Sequence, residues 1–190
     1  MLVLFHGRGA DEFDLLEPAA AVAPSFAIAS LRGPLALGSG YTWFENRGLG
    51  RPLGPSLRAS ADLVWGWLDG LEAGRVDPAR IVPFGFSAGM LMAGALLLDR
   101  PERFRAAVLL SGTLPWEIDE FVPAPGRFAS KPIFHAHGRW DDVIPADLVA
   151  RTEAYLMHDS GALLRSQRYP MAHEIVRSEL DDLARWLDAT

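Results

Sequence analysis

The chain has no cysteine in 190 residues. That excludes disulfides, thiolate metal ligation and a cysteine nucleophile. Clustered basic charge is missing as well: 24 acidic residues outnumber 18 lysines and arginines, giving a formal net charge of −6. Neither nucleic acid nor an anionic membrane surface is an expected partner, because neither has an electrostatic footprint. Long apolar runs are also lacking. No stretch approaches the roughly 20 residues of a membrane span. Leu2-Val3-Leu4-Phe5, directly after Met1, is too short for a signal-peptide core and has no positive leader. A cytoplasmic location is the expectation. What remains, 49% hydrophobic and 22% charged residues, suits one globular domain over residues 1–190.

The most informative stretch is Ile81-Val82-Pro83-Phe84 followed by Gly85-Phe86-Ser87-Ala88-Gly89 and the apolar run Met90–Leu98. A short apolar strand enters a tight turn, and a helix of small and apolar residues leaves it. In such an elbow the serine takes a strained backbone conformation that excludes bulk two positions either side. Gly85 and Gly89 meet that demand, and the Ser87 oxygen is pushed out beyond the strand. The bland reading is a Gly-rich turn whose serine caps the helix.

Strands are expected at Leu2–Phe5, Phe26–Leu31, Ile81–Phe84, Ala106–Leu110, Pro132–Ala136 and Leu163–Tyr169. Helices are expected at 11–23, 56–71, 88–99, 146–158 and 174–187, with Pro18 inside the first and a turn opening at Asp77-Pro78. Strands alternating with helices predict an α/β fold: a mostly parallel, doubly wound sheet with helices on both faces. Residues 33–55 and 115–130 read as irregular excursions.

Ligands of open α/β sheets bind beyond the carboxyl ends of the strands. After Pro132–Ala136 comes His137-Gly138-Arg139-Trp140-Asp141-Asp142, and after Leu163–Tyr169 comes Pro170-Met171-Ala172-His173. The order Ser87, Asp141, His173, each in a loop after a strand, is the order used by hydrolases of this architecture.

These blocks resemble the α/β-hydrolase superfamily, and within it the phospholipase/carboxylesterase group that includes acyl-protein thioesterases. The resemblance spans nearly the whole chain. It rests on Leu4-Phe5-His6-Gly7-Arg8-Gly9-Ala10-Asp11, Trp43-Phe44, Gly85-Phe86-Ser87-Ala88-Gly89, Leu110-Ser111-Gly112-Thr113-Leu114-Pro115, His137-Gly138 with Asp141–Pro145, and Ala172-His173-Glu174. Met90 departs from it, standing where related chains commonly carry glycine. The resemblance implies cleavage of carboxylic esters with Ser87 as nucleophile, His173 as general base and Asp141 orienting the imidazole. Backbone N–H groups of Ala88 and Arg8 would receive the oxyanion. It implies no cofactor and no metal; the partner would be a small-molecule ester.

Rivals exist for each role. Asp142, or the pair Asp119 and Glu120, competes for the acid. His6 reads as a loop-shaping residue, His135 as a strand histidine, His137 as a brace for the acid loop and His158 as a solvated helix end. A zinc site on His6, His135 and His137 lacks the usual ligand spacing. Trp43, Phe44 and Trp116 are candidate walls of an acyl pocket, although loop aromatics equally serve as anchors. No block is long enough for a large cap, which favours small to medium acyl esters. The alternatives are a thioesterase or lysophospholipase with the same triad, or a catalytically silent ligand-binding homologue. The resemblance would place one or two strands before Leu2–Phe5. Without them Phe26–Leu31 becomes a sheet edge, and a homodimer pairing there is expected.

Overall fold

A computed structural model of the protein describes residues 1–74, 76–77 and 80–190. Pro78, half of the turn expected at 77–78, lies outside them. Six strands form the main sheet: β1 (Leu2–Phe5), β2 (Ile28–Leu31), β5 (Val82–Phe86), β6 (Ala107–Leu110), β7 (Pro132–Gly138) and β8 (Leu163–Tyr169). They are ordered β2-β1-β5-β6-β7-β8, and every pairing is parallel. A small antiparallel hairpin, β3 (Leu35–Leu37) with β4 (Gly40–Thr42), lies inside the stretch expected to be irregular.

Alternation along the strands divides the core in two. Val3, Phe5, Leu109 and Ile133 face helices α2 (Gly54–Ala73), α3 (Ala88–Asp99) and α4 (Ala146–Ala154). Leu4, Phe84, Val108 and Phe134 face α1 (Leu16–Val22) and α5 (Arg177–Ala189). On α2 the expected stripe of Leu57, Ala61, Val64, Trp65 and Leu68 is buried throughout. Burial on both faces is why the inner strands read as continuous apolar runs.

The chain steps from β1 outward to β2, then crosses back to β5 on the other side of β1. That reversal makes the carboxyl ends of β1 and β5 a topological switch point, where such sheets open a crevice. β2 is an edge of the sheet, as expected, and β8 is the other.

Several boundaries moved for local reasons. Turns occupy 12–15, so α1 begins at Leu16, which puts Pro18 in its first turn, where a missing N–H costs nothing. Helix α4 ends at Ala154 and widens into a π-turn over Tyr155–Asp159. Helix α5 starts at Arg177, three residues later than expected, because the preceding residues form the loop that carries His173.

At the third position of α5 the Glu179 side chain is fully buried, and neither carboxylate oxygen has a hydrogen-bond partner. Burial pushes its carboxyl from 4.5 up to about 8. The folded protein therefore holds a proton that the unfolded chain releases near pH 4.5, and stability from this group is lost as pH rises from about 4.5 to about 8. Glu179→Gln should remove that slope and raise stability at pH 8 by on the order of a few kcal/mol. Urea midpoints of both proteins from pH 5 to pH 9 check it; parallel curves would refute it.

Candidate active site

Strand β5 runs into Ser87, whose φ of 57° and ψ of −118° lie in a region that non-glycine residues avoid, and α3 begins at the next residue. The turn is held by the Ser87 N–H donating to Leu110 O at 2.9 Å. A Cβ on Gly85 would lie 2.2 Å from Gly89 O, and one on Gly89 only 1.8 Å from Phe5 O. The elbow expected from the glycine spacing is thus a close three-way approach of β1, β5 and α3. Met90 is fully buried and occupies space against Gly112, where a Cβ would meet its Cβ at 2.8 Å and its Sδ at 2.9 Å.

Pairing between β7 and β8 continues past the strand ends, with Arg139 N–H donating to Tyr169 O (2.8 Å) and Trp140 N–H to Met171 O (3.1 Å). The two loops pass so closely that a Cβ on Gly138 would sit 2.2 Å from Ala172 O. This approach delivers Asp141 to His173. Asp141 Oδ1 accepts the N–H groups of Val143 (3.0 Å) and Ile144 (3.2 Å), while Oδ2 lies 2.8 Å from His173 Nδ1. His173 Nε2 is 2.8 Å from Ser87 Oγ. The Phe86 ring packs at a tilt on the imidazole, centroids 5.1 Å apart.

The Asp141 side chain has no exposure to solvent. Burial alone would raise its carboxyl. The His173 hydrogen bond and charge, the Ile144 N–H and His137 outweigh this and hold it below the usual carboxylate range. His137 Nε2 approaches the same Oδ2 at 3.3 Å, so the reading of His137 as a brace fits its position.

The second half of the site is the loop after β1. His6 is buried; its Nδ1 donates to Gly7 O at 2.7 Å and its Nε2 accepts the Gly33 N–H at 3.0 Å, which fixes the neutral tautomer by its partners. The hairpin grips the loop further on, through Gly9 N–H to Tyr41 O and Tyr41 N–H to Ala10 O, both 2.8 Å. Trp43 Nε1–H donates to His6 O at 2.8 Å, and the Ser60 hydroxyl to Trp43 O. Ala88, the first residue of α3, has an N–H that the helix itself leaves unpaired.

Arg8, Ala88, Ser87 and His173 border one cavity of about 220 Å³, with walls that include Phe44, Leu49, Leu91, Val143 and Ile144. Of the three aromatics expected to line it, only Phe44 does. Trp43 is an anchor beneath the loop, because its indole N–H is committed to the His6 carbonyl. Trp116 is turned into the α4 packing, where its N–H donates to Thr152 Oγ1 at 3.1 Å and the Arg151 guanidinium covers its ring at 4.1 Å. Aliphatic walls from the acid loop (Val143, Ile144) and from α3 (Leu91) were not anticipated, since nothing in their spacing separates a wall from core.

The rivals fall away on position. Asp142 is exposed, Asp119 and Glu120 form an exposed 3-10 turn, and His158 is exposed in the π-turn. His135 is buried beside Ser166 Oγ at 3.0 Å, and burial lowers it to about 4. Both ring nitrogens of His6 already have partners. Among the described residues, no three His, Asp or Glu side chains gather as a metal-ligand set, and no helix is long and apolar enough to cross a membrane.

Comparison with known proteins places this geometry in company. A sequence model of the phospholipase/carboxylesterase family matches residues 1–190. Acyl-protein thioesterase 1 of Saccharomyces cerevisiae is 29% identical over 118 residues, covering 59% of this chain and 50% of the yeast protein. An uncharacterized protein of Mycobacterium tuberculosis is 33% identical over 152 residues, covering 66% of this chain and 52% of that one. The chain thus spans about half the length of each of these two relatives. In fold, the Bacillus cereus carboxylesterase superimposes with a TM-score of 0.87 at 24% identity, over 100% of this chain and 87% of that one. Matched from end to end by the family model, and carrying a six-stranded parallel sheet with this elbow, the chain belongs to the phospholipase/carboxylesterase family of α/β hydrolases.

Proposed function

We propose that the protein is a serine hydrolase that cleaves carboxylic esters of small to medium acyl chains through an acyl-enzyme. The observation that carries the reading is the hydrogen-bonded sequence Ser87 Oγ, His173, Asp141, with both contacts at 2.8 Å, opening on a mainly apolar cavity. Ser87 Oγ attacks the ester carbonyl while His173 Nε2 takes its proton. The carbonyl oxygen becomes an oxyanion and is received by the N–H groups of Arg8 and Ala88. Collapse expels the alcohol, which leaves with the proton from His173. Water then repeats the sequence on the acyl-enzyme and frees the acid. Asp141 stays ionised and keeps Nδ1–H pointed at itself, so that Nε2 is the basic nitrogen.

Acyl size follows from volume. About 220 Å³ is below the roughly 300–1,000 Å³ of sites for drug-sized ligands. Across 4-nitrophenyl esters from acetate to palmitate, kcat/KM should peak at four to eight carbons or fewer, and a peak at palmitate would overturn the size assignment. Labelling of Ser87 by a fluorophosphonate, lost in Ser87→Ala, tests the nucleophile and separates an enzyme from a silent binder. The yeast relative favours a second reading, thioester cleavage by the same triad; paired oxygen and thiol esters of one acid distinguish it. The cytoplasmic location belongs to this proposal and is read by cell fractionation.

A further inference from the structure

The cavity beside Ser87 carries one fixed charge, and it is positive. Arg8 is exposed in the loop after β1 and lines the cavity, while no aspartate or glutamate does. Asp141 is sealed from solvent behind His173. Several arginines elsewhere find acids: Arg32 pairs with Glu12, Arg51 with Asp147, Arg103 with Asp69, Arg168 with Glu153. The Arg8 guanidinium has no hydrogen bond or ion pair among the described residues. A second polar group stands beside it on the same lining. The Asn46 backbone is held by a bridge to Pro52, and its Oδ1 is buried without a hydrogen-bond partner.

A guanidinium offers parallel N–H groups that match a carboxylate or phosphate, and the Asn46 amide N–H groups can donate to the same oxygens, while Asn46 Oδ1, an acceptor, takes no part in holding an anion. With the cavity empty the exposed guanidinium is solvated, and an anionic ligand seated there would exchange that water for charge-assisted hydrogen bonds. Resting on the serine-esterase reading, we infer that the substrate is an ester bearing an anionic group, a carboxylate or phosphate, received by Arg8 with Asn46. Arg8 then serves twice. Its N–H faces the oxyanion, and its side chain fixes the anion at a set distance from the scissile carbonyl, which makes it a determinant of specificity.

The test uses two matched ester pairs at pH 8. On the acyl side they are 4-nitrophenyl butyrate and 4-nitrophenyl hemisuccinate; on the alcohol side, phenyl acetate and 4-acetoxybenzoate. Wild type should favour the anionic member of at least one pair by about tenfold in kcat/KM, the scale of a charge-assisted contact. The anionic-to-neutral ratio should fall toward one in Arg8→Gln, survive in part in Arg8→Lys, and shrink as salt is raised from about 0.05 to about 0.5 M. A ratio near one in wild type, or a preference that persists in Arg8→Gln, overturns the inference. Calorimetric binding of succinate and of inorganic phosphate to wild type and Asn46→Ala distinguishes the two anion types and needs no turnover. It also decides the matter should Arg8→Gln fail to fold, with binding that is absent or insensitive to salt counting against the inference. Neutral esters turned over without anionic preference would sink this inference and leave the esterase standing. Succinate or phosphate binding that is weakened by salt and by Asn46→Ala, without any ester turnover, would do the reverse.

Discussion

Ser87→Ala should leave a folded protein whose ester turnover is lower by about 10⁴- to 10⁶-fold, the range found when one member of a Ser-His-Asp unit is removed. The Ser87 side chain makes one hydrogen bond, to His173, and the residue is only partly buried. Its loss touches neither core cluster, so the melting temperature should move by no more than a few degrees. His173→Ala should cost a similar factor, and the double variant little more than either single one, because the residues act as a unit. Asp141 needs a different substitution. Truncating it to alanine would strip the acceptor from the Val143 and Ile144 N–H groups and confound folding with chemistry. Asp141→Asn keeps an oxygen for those donors but removes the charge that orients the imidazole, so about a 10⁴-fold loss in kcat is expected with the fold retained. Single-turnover kinetics with a 4-nitrophenyl ester measures all four. Ser87→Ala retaining more than about a hundredth of wild-type activity would mean that the serine is not the nucleophile.

The hydrogen-bonded array of Ser87, His173 and Asp141 was readable because each residue obeys a local rule. Glycines two residues either side of Ser87 report a steric demand made within five residues, and Asp141 and His173 each follow a strand by a short loop. The walls were not readable, because their roles are decided by distant partners. Whether Trp43 faces substrate or anchors a loop depends on its indole N–H, whose acceptor is a carbonyl 37 residues earlier in sequence. Trp116 is settled in the same way by Thr152, 36 residues later. The hairpin of β3 and β4 escaped notice because three-residue strands are too short to show alternation, and what fixes them is pairing of Tyr41 with the loop at Gly9 and Ala10. Strand β7 runs two residues past its expected end because β8 continues to pair with it through His137 and Gly138. That extension is what brings Asp141 to His173, and the long-range register responsible leaves no mark on the local sequence.

Two glycine-to-alanine changes should move stability in opposite directions. Gly66 lies exposed in the middle of α2 with no atom within 4 Å of where a Cβ would be. Alanine there costs no contact and narrows the unfolded ensemble, so Gly66→Ala should stabilise by about 0.5–1 kcal/mol. At Gly89 the added carbon would meet Phe5 O at 1.8 Å and His6 O at 2.7 Å. Both are backbone atoms of β1 and of the loop that holds Arg8, and neither can swing aside as a flexible side chain does. Relief requires α3 to retreat from β1 by about 1 Å, which opens the core around Met90 and Leu91 and shifts Ser87 and the Ala88 N–H relative to Arg8. Destabilisation of more than about 4 kcal/mol is expected, in the range reserved for severe overpacking and strain. Any folded fraction should turn over esters at least about 100-fold more slowly, since an error of about 1 Å in a catalytic arrangement costs that much. Urea unfolding of Gly66→Ala, Gly89→Ala and the wild type reads the two signs directly. A Gly89→Ala protein with wild-type stability and turnover would show that β1, β5 and α3 do not meet as closely as the elbow requires, and the oxyanion site proposed on Arg8 and Ala88 would lose its support.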